Sequence, residues 1–155
     1  MRAVIQRVSE ASVHVDGELI GSCREGLLVL LGVGPDDTPA VADAMLGKIL
    51  RLRIFKDENG KMNRSVQDIG GEMLLISQFT LYADCTHGNR PAFTGAGQPD
   101  AAEKLYEYML AKAQEALSHV GHGVFGADMK VSLCNDGPVT ICLDSSELFR
   151  NGVKP

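Results

Sequence analysis

The chain has 155 residues, 45% of them hydrophobic, and a formal net charge of −5. That length suits one domain, 1–155, able to bury a core without disulfides or a structural metal. The acidic balance excludes a protein that coats nucleic acid through many Lys and Arg contacts, and the absence of tryptophan excludes a broad base-stacking platform, leaving room only for RNA held at few points.

No run approaches the roughly 18 apolar residues of a membrane span, and "MRAVIQRVSE" lacks the apolar core of a secretory signal, so a cytoplasmic protein is expected. The four cysteines (Cys23, Cys85, Cys134, Cys142) show no CxxC spacing, which predicts neither a disulfide scaffold nor a zinc knuckle.

Alternation from Ala3 to Val8 predicts a first strand, and Asp16-Gly17 between two further alternating runs predicts a hairpin. "GLLVLLGV" reads as a strand buried on both faces. Thr38 as N-cap and Pro39 at the first helical position open a helix whose apolar stripe is Val41, Met45 and Ile49 or Leu52. A strand end then runs into a turn at Asn59-Gly60, with loop or ragged hairpin to Gly71, and "GEMLLISQFTLYA" gives a second buried strand.

Asp84 to Gln98 holds three glycines and a proline without periodicity, which predicts a functional loop. After Pro99 a long helix carries Leu105, Met109 and Leu117 on one face, with acidic residues early and His119 late. Two strands, "MKVSL" and "VTICLD", flank "NDGPVT". There Asp136-Gly137 suits a two-residue hairpin turn, while Gly137-Pro138 equally suits backbone that presents main-chain carbonyls to a ligand. The order is α+β, a mixed, barrel-like layered sheet covered on one side by two main helices.

Ser77, Gln78 and Thr80 fall at the end of a buried strand, where a side chain leaves the core for a cleft. A hydroxyl nucleophile needs a base, and the spacing of His14, His87, His119 and His122 assigns none. His119 and His122 share one helical face but lack a third ligand, so no metal and no cofactor are expected. Arg90 in "GNRP" is a candidate anchor for phosphate or carboxylate. "FGADM", Phe125 to Met129, either walls a pocket or caps the core.

Taken in order, "SQFTLYAD", "GNRP", "FGADM" and "NDGPVT", together with the start "MRAVIQRVSEASV", resemble the D-aminoacyl-tRNA deacylase family over nearly the whole chain. The resemblance implies hydrolysis of the ester joining a D-amino acid, or glycine, to the 3′-terminal adenosine of tRNA, a proofreading reaction with aminoacyl-tRNA as partner. It implies a homodimer with Ser77, Gln78, Phe79 and Thr80 lining a pocket at the subunit interface. Gly137-Pro138, in cis, enters that pocket from the other subunit and reads chirality through backbone carbonyls. Phe125 and Met129 match positions near the adenine, and Arg7 one that steadies the Gly-Pro segment. It further implies no protein nucleophile, with the ribose 2′-hydroxyl assisting and amides near Phe79 and Thr80 holding the oxyanion. Thr86-His87 stands where other members often carry two basic residues. The rival readings are a non-catalytic metabolite-binding oligomer and an esterase using Thr80 or Cys85 as nucleophile.

Overall fold

The computed structural model describes residues 1–153. Strand β1 (Arg2–Val15) turns at Asp16-Gly17 into β2 (Glu18–Cys23), and φ values of 51° and 82° at the two turn residues fit the expected hairpin. β3 (Gly26–Gly32) follows, buried almost throughout as its unbroken apolar run predicts. Helix α1 (Pro39–Leu50) starts where expected, the Thr38 hydroxyl accepting from the Val41 amide at 3.3 Å. The small hairpin β4 (Phe55–Lys56) and β5 (Met62–Arg64) closes over Asn59-Gly60.

β6 (Glu72–Ser77), α2 (Pro99–Ala116), β7 (Val120–His122), β8 (Lys130–Asp144) and the one-turn helix α3 (Ser145–Leu148) complete the chain. β3 pairs parallel with β6, and β6 with β7, so α1 and α2 are the crossovers of two successive units in one direction across the sheet. Crossovers of one hand then lie on one face, as expected for the two main helices. That face buries Ile5, Leu27, Val29, Leu31, Met73 and Leu75 of the sheet against Met45, Ile49, Leu105 and Met109 of the helices. At roughly 1.5–3 kcal/mol for each large side chain removed from water, this layer is the main source of stability.

The opposite face curls on itself around Val8, Val13, Cys23, Leu28, Leu74 and Ile76. β1 reaches both cores because its inward phase changes midway: Ile5 faces the helices, whereas Ala11 and Val13 face the inner cluster. The change falls at a bulge, where Val8 pairs with Asn135 and Glu10 with the adjacent Cys134. β2 and β7 come together through Gly21 and Gly121: a Cβ on Gly21 would lie 2.4 Å from the His122 carbonyl oxygen, and one on Gly121 the same distance from that of Ser22. The sheet is thus nearly barrel-shaped.

Three sequence expectations are corrected. α2 stops at Ala116, so His119 and His122 share no helical face; His122 ends β7, a strand too short and too polar to stand out in the sequence. The second buried strand stops at Ser77, after which Phe79–Tyr82 forms a 3-10 turn. "NDGPVT" is not a hairpin turn: the segments before and after it both pair with β1 instead of with each other, and together make up β8.

Candidate active site

β3 and β6 end side by side, Leu31 opposite Ser77, and the Gln78 amide is pinned to the Leu31 carbonyl at 2.7 Å. Beyond the carboxyl ends of parallel strands both chains turn away, which opens a crevice of the kind that holds ligands in sheets of this type. The 3-10 turn forms one lip. On the other, Asp84 and Ala92 exchange both backbone hydrogen bonds, at 2.7 and 2.9 Å, and so bring Phe93 edge-on to Phe79 with ring centroids 5.0 Å apart.

The result is a cavity of about 630 Å³ lined by Leu31, Ile76, Ser77, Gln78, Phe79 and Phe93 on one side and by Tyr106, Phe125 and Met129 on the other. Of the expected residues, Ser77, Gln78, Phe79, Phe125 and Met129 meet here. Phe79 is exposed at the mouth. Thr80 does not line the cavity; its Oγ1 accepts from Gln78 Nε2 at 2.5 Å and fixes that amide side chain. Arg90 is exposed on the loop, also away from the lining.

Tyr106 and Phe93 are additions the sequence reading missed. Tyr106 follows Leu105 in the apolar stripe of α2 and shows as a core residue by periodicity alone. Its hydroxyl donates to the Leu75 carbonyl at 2.9 Å and its ring lies 6.0 Å from Phe125. Burial pushes its phenol up to about 12, so it is a fixed donor and not a base.

The polar equipment is sparse. The amides of Phe79 and Thr80 donate to no acceptor among the described residues, because the 3-10 turn leaves its first N–H groups unpaired. Neither Ser77 nor Thr80 is hydrogen-bonded to a histidine: His119 Nε2 contacts the Ser22 carbonyl oxygen and His122 Nδ1 that of Gly123, both at 2.8 Å. Cys85 is exposed. Among the described residues no three His, Cys, Asp or Glu side chains converge as metal ligands.

The remaining expected residues form a second group. On β1, Gln6 faces Thr140 and Val8 faces Asn135, so the single residue Arg7 stands opposite four, Asp136 to Val139, which leave the ladder as a projecting loop. Gly137 and Pro138 are exposed on it, joined by a cis peptide bond, and neither lines the cavity of its own chain. Arg7, only 5% exposed, donates from Nε to the Asp136 carbonyl at 2.8 Å and from a terminal nitrogen to the Ile54 carbonyl at 2.6 Å. Asn135 braces the loop from within, its Oδ1 accepting from the Val139 amide at 2.7 Å and its Nδ2 donating to the Thr140 hydroxyl at 3.0 Å. The signal for Asn135 was present in "NDGP", since Asx side chains commonly bond the backbone of such turns.

Comparison with known proteins gives this arrangement its family. The family model described as "D-Tyr-tRNA(Tyr) deacylase" matches residues 4–144. A D-aminoacyl-tRNA deacylase of Clostridioides difficile (strain 630) is 57% identical over 149 residues, covering 96% of this chain and all of that protein. One of Thermosipho melanesiensis is 53% identical over 150 residues with the same coverage. Among solved structures, the c-Myc DNA Unwinding Element Binding Protein superposes with a TM-score of 0.87 at 44% identity, over 93% of this chain and 98% of that one. A probable eukaryotic D-amino acid tRNA deacylase, at 16% identity, shares the fold with a TM-score of 0.80 over 92% of this chain and 97% of its own. The chain belongs to the D-Tyr-tRNA(Tyr) deacylase family. It is an enzyme, a hydrolase of ester bonds.

Proposed function

We propose that the protein hydrolyses the ester between a D-amino acid and the 3′-terminal adenosine of tRNA, releasing free tRNA and the D-amino acid, and that it clears glycine from mischarged tRNA by the same route. The observation that carries this reading is the cavity that joins an aromatic and thioether wall, Phe125 and Met129, to Phe79 at the start of the 3-10 turn, where the amides of Phe79 and of the neighbouring Thr80 are unpaired. The wall suits the adenine. The amides suit the oxyanion that develops when water attacks the ester carbonyl, a contribution that commonly dominates acyl transfer. Ser77 and Gln78 line the same mouth and position the aminoacyl group.

Among the described residues no histidine is bonded to the Ser77 or Thr80 hydroxyl, and in this reading the ribose 2′-hydroxyl assists attack. The carbonyl carbon gains the water oxygen, the bond to the 3′-oxygen breaks, and a proton ends on that oxygen. Neither Thr80 nor Cys85 need be acylated.

The working unit is a homodimer. Among the described residues β8 is an edge strand that pairs only with β1, is mostly exposed, and carries the projecting loop away from its own cavity. A second copy brings the partner subunit's Gly137 and Pro138 into the pocket, where main-chain carbonyls hold the ammonium of a D-residue and exclude an L side chain. Arg7 steadies that segment. Action on aminoacyl-tRNA places the protein in the cytoplasm.

Matched D-, L- and glycyl-tRNA presented to the purified protein test the reading. Release of D-amino acid and glycine with L-aminoacyl-tRNA left intact is expected; binding without turnover would make it a metabolite-binding oligomer. For the shared site, a Gly137 variant mixed with a Phe79 variant is expected to recover activity in exchanged heterodimers.

A further inference from the structure

We propose that the surface from Lys48 to Arg64, running from the end of α1 through the β4–β5 hairpin, is where the phosphate backbone of the tRNA acceptor arm docks. The inference rests on the tRNA reading above and adds to it the surface that grips the RNA. Six of the chain's 15 basic residues, Lys48, Arg51, Arg53, Lys56, Lys61 and Arg64, fall in these 17 positions beside only two acidic ones, Asp57 and Glu58. The segment carries +4 in a chain of −5, so the remainder carries −9. All six basic residues are exposed, and among the described residues none has a carboxylate within 4.0 Å.

The hairpin is also built to stay in place. Asp57 spends its carboxylate on the turn itself, accepting from the Asn59 and Lys61 amides at 2.9 Å each and from Asn63 Nδ2 at 3.3 Å. These bonds, led by that from Lys61, hold the carboxyl below its ordinary range, so it locks the turn as an anion. Arg53 ties the hairpin to the carbonyl and side chain of Asn63, and Arg64 bonds the Asp68 carbonyl. Among the described residues, that leaves Lys48, Arg51, Lys56 and Lys61 with no hydrogen-bond partner for their charged ends. Met62, opposite Lys56 and 58% exposed, adds an apolar contact suited to a ribose face.

Position completes the argument. The guanidinium of Arg7 holds the Ile54 carbonyl, inside the basic segment, and the Asp136 carbonyl, next to Gly137. The basic surface and the projecting loop are thereby fixed on the two sides of one side chain. A loop that reads the aminoacyl end of the RNA has the phosphate-binding charges directly behind it. The cavity itself supplies no such charge, since no Lys or Arg is among the described residues that line it.

The test uses the full-length protein with Arg51→Gln/Lys56→Gln/Lys61→Gln, which spares the arginines that hold the hairpin. On D-tyrosyl-tRNA near 0.1 M salt, KM is expected to rise about tenfold or more with kcat within about twofold, and the slope of log(kcat/KM) against log salt to flatten by about 3, one per phosphate contact. On D-tyrosyl-adenosine, which has no phosphate, the variant is expected to match the parent. Lys56→Arg/Lys61→Arg is expected to keep the parental slope. An unchanged KM and slope on tRNA, or an equal loss on both substrates, overturns the proposal. Binding of uncharged tRNA, followed by anisotropy, separates the two readings: a parent that binds tRNA with the steep slope but releases no amino acid sinks the catalytic reading, while a variant that binds as tightly as the parent sinks this one.

Discussion

Arg7 and Asp136 meet where one residue of β1 faces four of β8, and the 2.8 Å bond from Arg7 Nε to the Asp136 carbonyl holds the projecting loop down at its base. The same guanidinium bonds the Ile54 carbonyl at 2.6 Å, and the Asp136 carboxylate lies 3.7 Å from it. A planar fork with several donors serves two carbonyls in different directions, which an ammonium on a flexible stem does poorly.

Arg7→Ala therefore leaves one buried and one partly buried carbonyl unpaired and is expected to cost about 2–4 kcal/mol, a Tm loss of roughly 5–12 °C for a domain of this size. Arg7→Lys keeps the charge and one carbonyl bond. It is expected to fold with about half that loss while deacylation of D-aminoacyl-tRNA falls about tenfold or more. Calorimetry beside single-turnover kinetics reads both; full activity in the lysine variant would detach Arg7 from the site.

Thr80 contributes its hydroxyl to Gln78 and an unpaired amide to the 3-10 turn beside the cavity, and substitution by alanine removes only the first. Thr80→Ala is expected to stay within about tenfold of the parental kcat, the modest cost of a lost orienting bond. A substrate ending in 2′-deoxyadenosine is expected to be cleaved far more slowly by the parent. The reverse pairing, a dead alanine variant and a normal deoxy substrate, would point to a threonine nucleophile.

Much of this was legible in the sequence because it was encoded locally. Thr38-Pro39, Asp16-Gly17 and the apolar run of β3 each carry their own stereochemical reason, and each element appears where they place it. The motif at Ser77 to Phe79 and the "FGADM" segment likewise meet around one cavity. What local sequence concealed is pairing. "NDGPVT" has the composition of a hairpin, and only the register shows both of its flanks on β1, with Arg7 beneath the excursion. β7 is three residues long and held by tertiary neighbours, so no periodicity marks it. The clustering of Lys48 to Arg64 was countable in the sequence, yet only the fold places it beside the loop.

Asp144 supplies a pH dependence whose sign is fixed by its surroundings. Partial burial alone would raise its carboxyl, but hydrogen bonds from the Ser146 hydroxyl and amide and from Arg2 outweigh that and leave it below the ordinary 3.8. A depressed carboxyl stabilises the fold above its unfolded value, and the contribution fades as pH falls through the folded value. Asp144→Asn keeps the cap on α3 but not the charge. The variant is expected to unfold at lower urea than the parent from pH 6 to 8, with the gap closing below about pH 4. A gap that stays constant to pH 2.5 would remove the ion pair with Arg2 from the account.

Gly137 has φ of +144°, a region that suits glycine, and a Cβ there would lie 2.8 Å from Val139 Cγ2, 2.9 Å from the Val139 amide nitrogen and 3.1 Å from the Arg7 guanidinium. The methyl of Gly137→Ala thus collides with the groups that brace the loop, the Val139 amide bound by Asn135 and the arginine bound to Asp136. The loop is exposed and the collision is local, so the strain is expected to cost only about 1–3 kcal/mol and the fold to survive. Activity is expected to suffer more. In a dimer that presents this residue to the partner's pocket, the added methyl narrows the space for the amino acid, so cleavage of D-tyrosyl-tRNA is expected to fall further than that of glycyl-tRNA. Asn135→Ala loosens the same loop without adding an atom, and is expected to lower both rates by a similar factor. Rates measured on the two substrates for the two variants therefore separate obstruction from loosening: if Gly137→Ala lowered both rates equally, with the dimer intact, Gly137 would be a scaffold residue and the pocket would be bounded elsewhere.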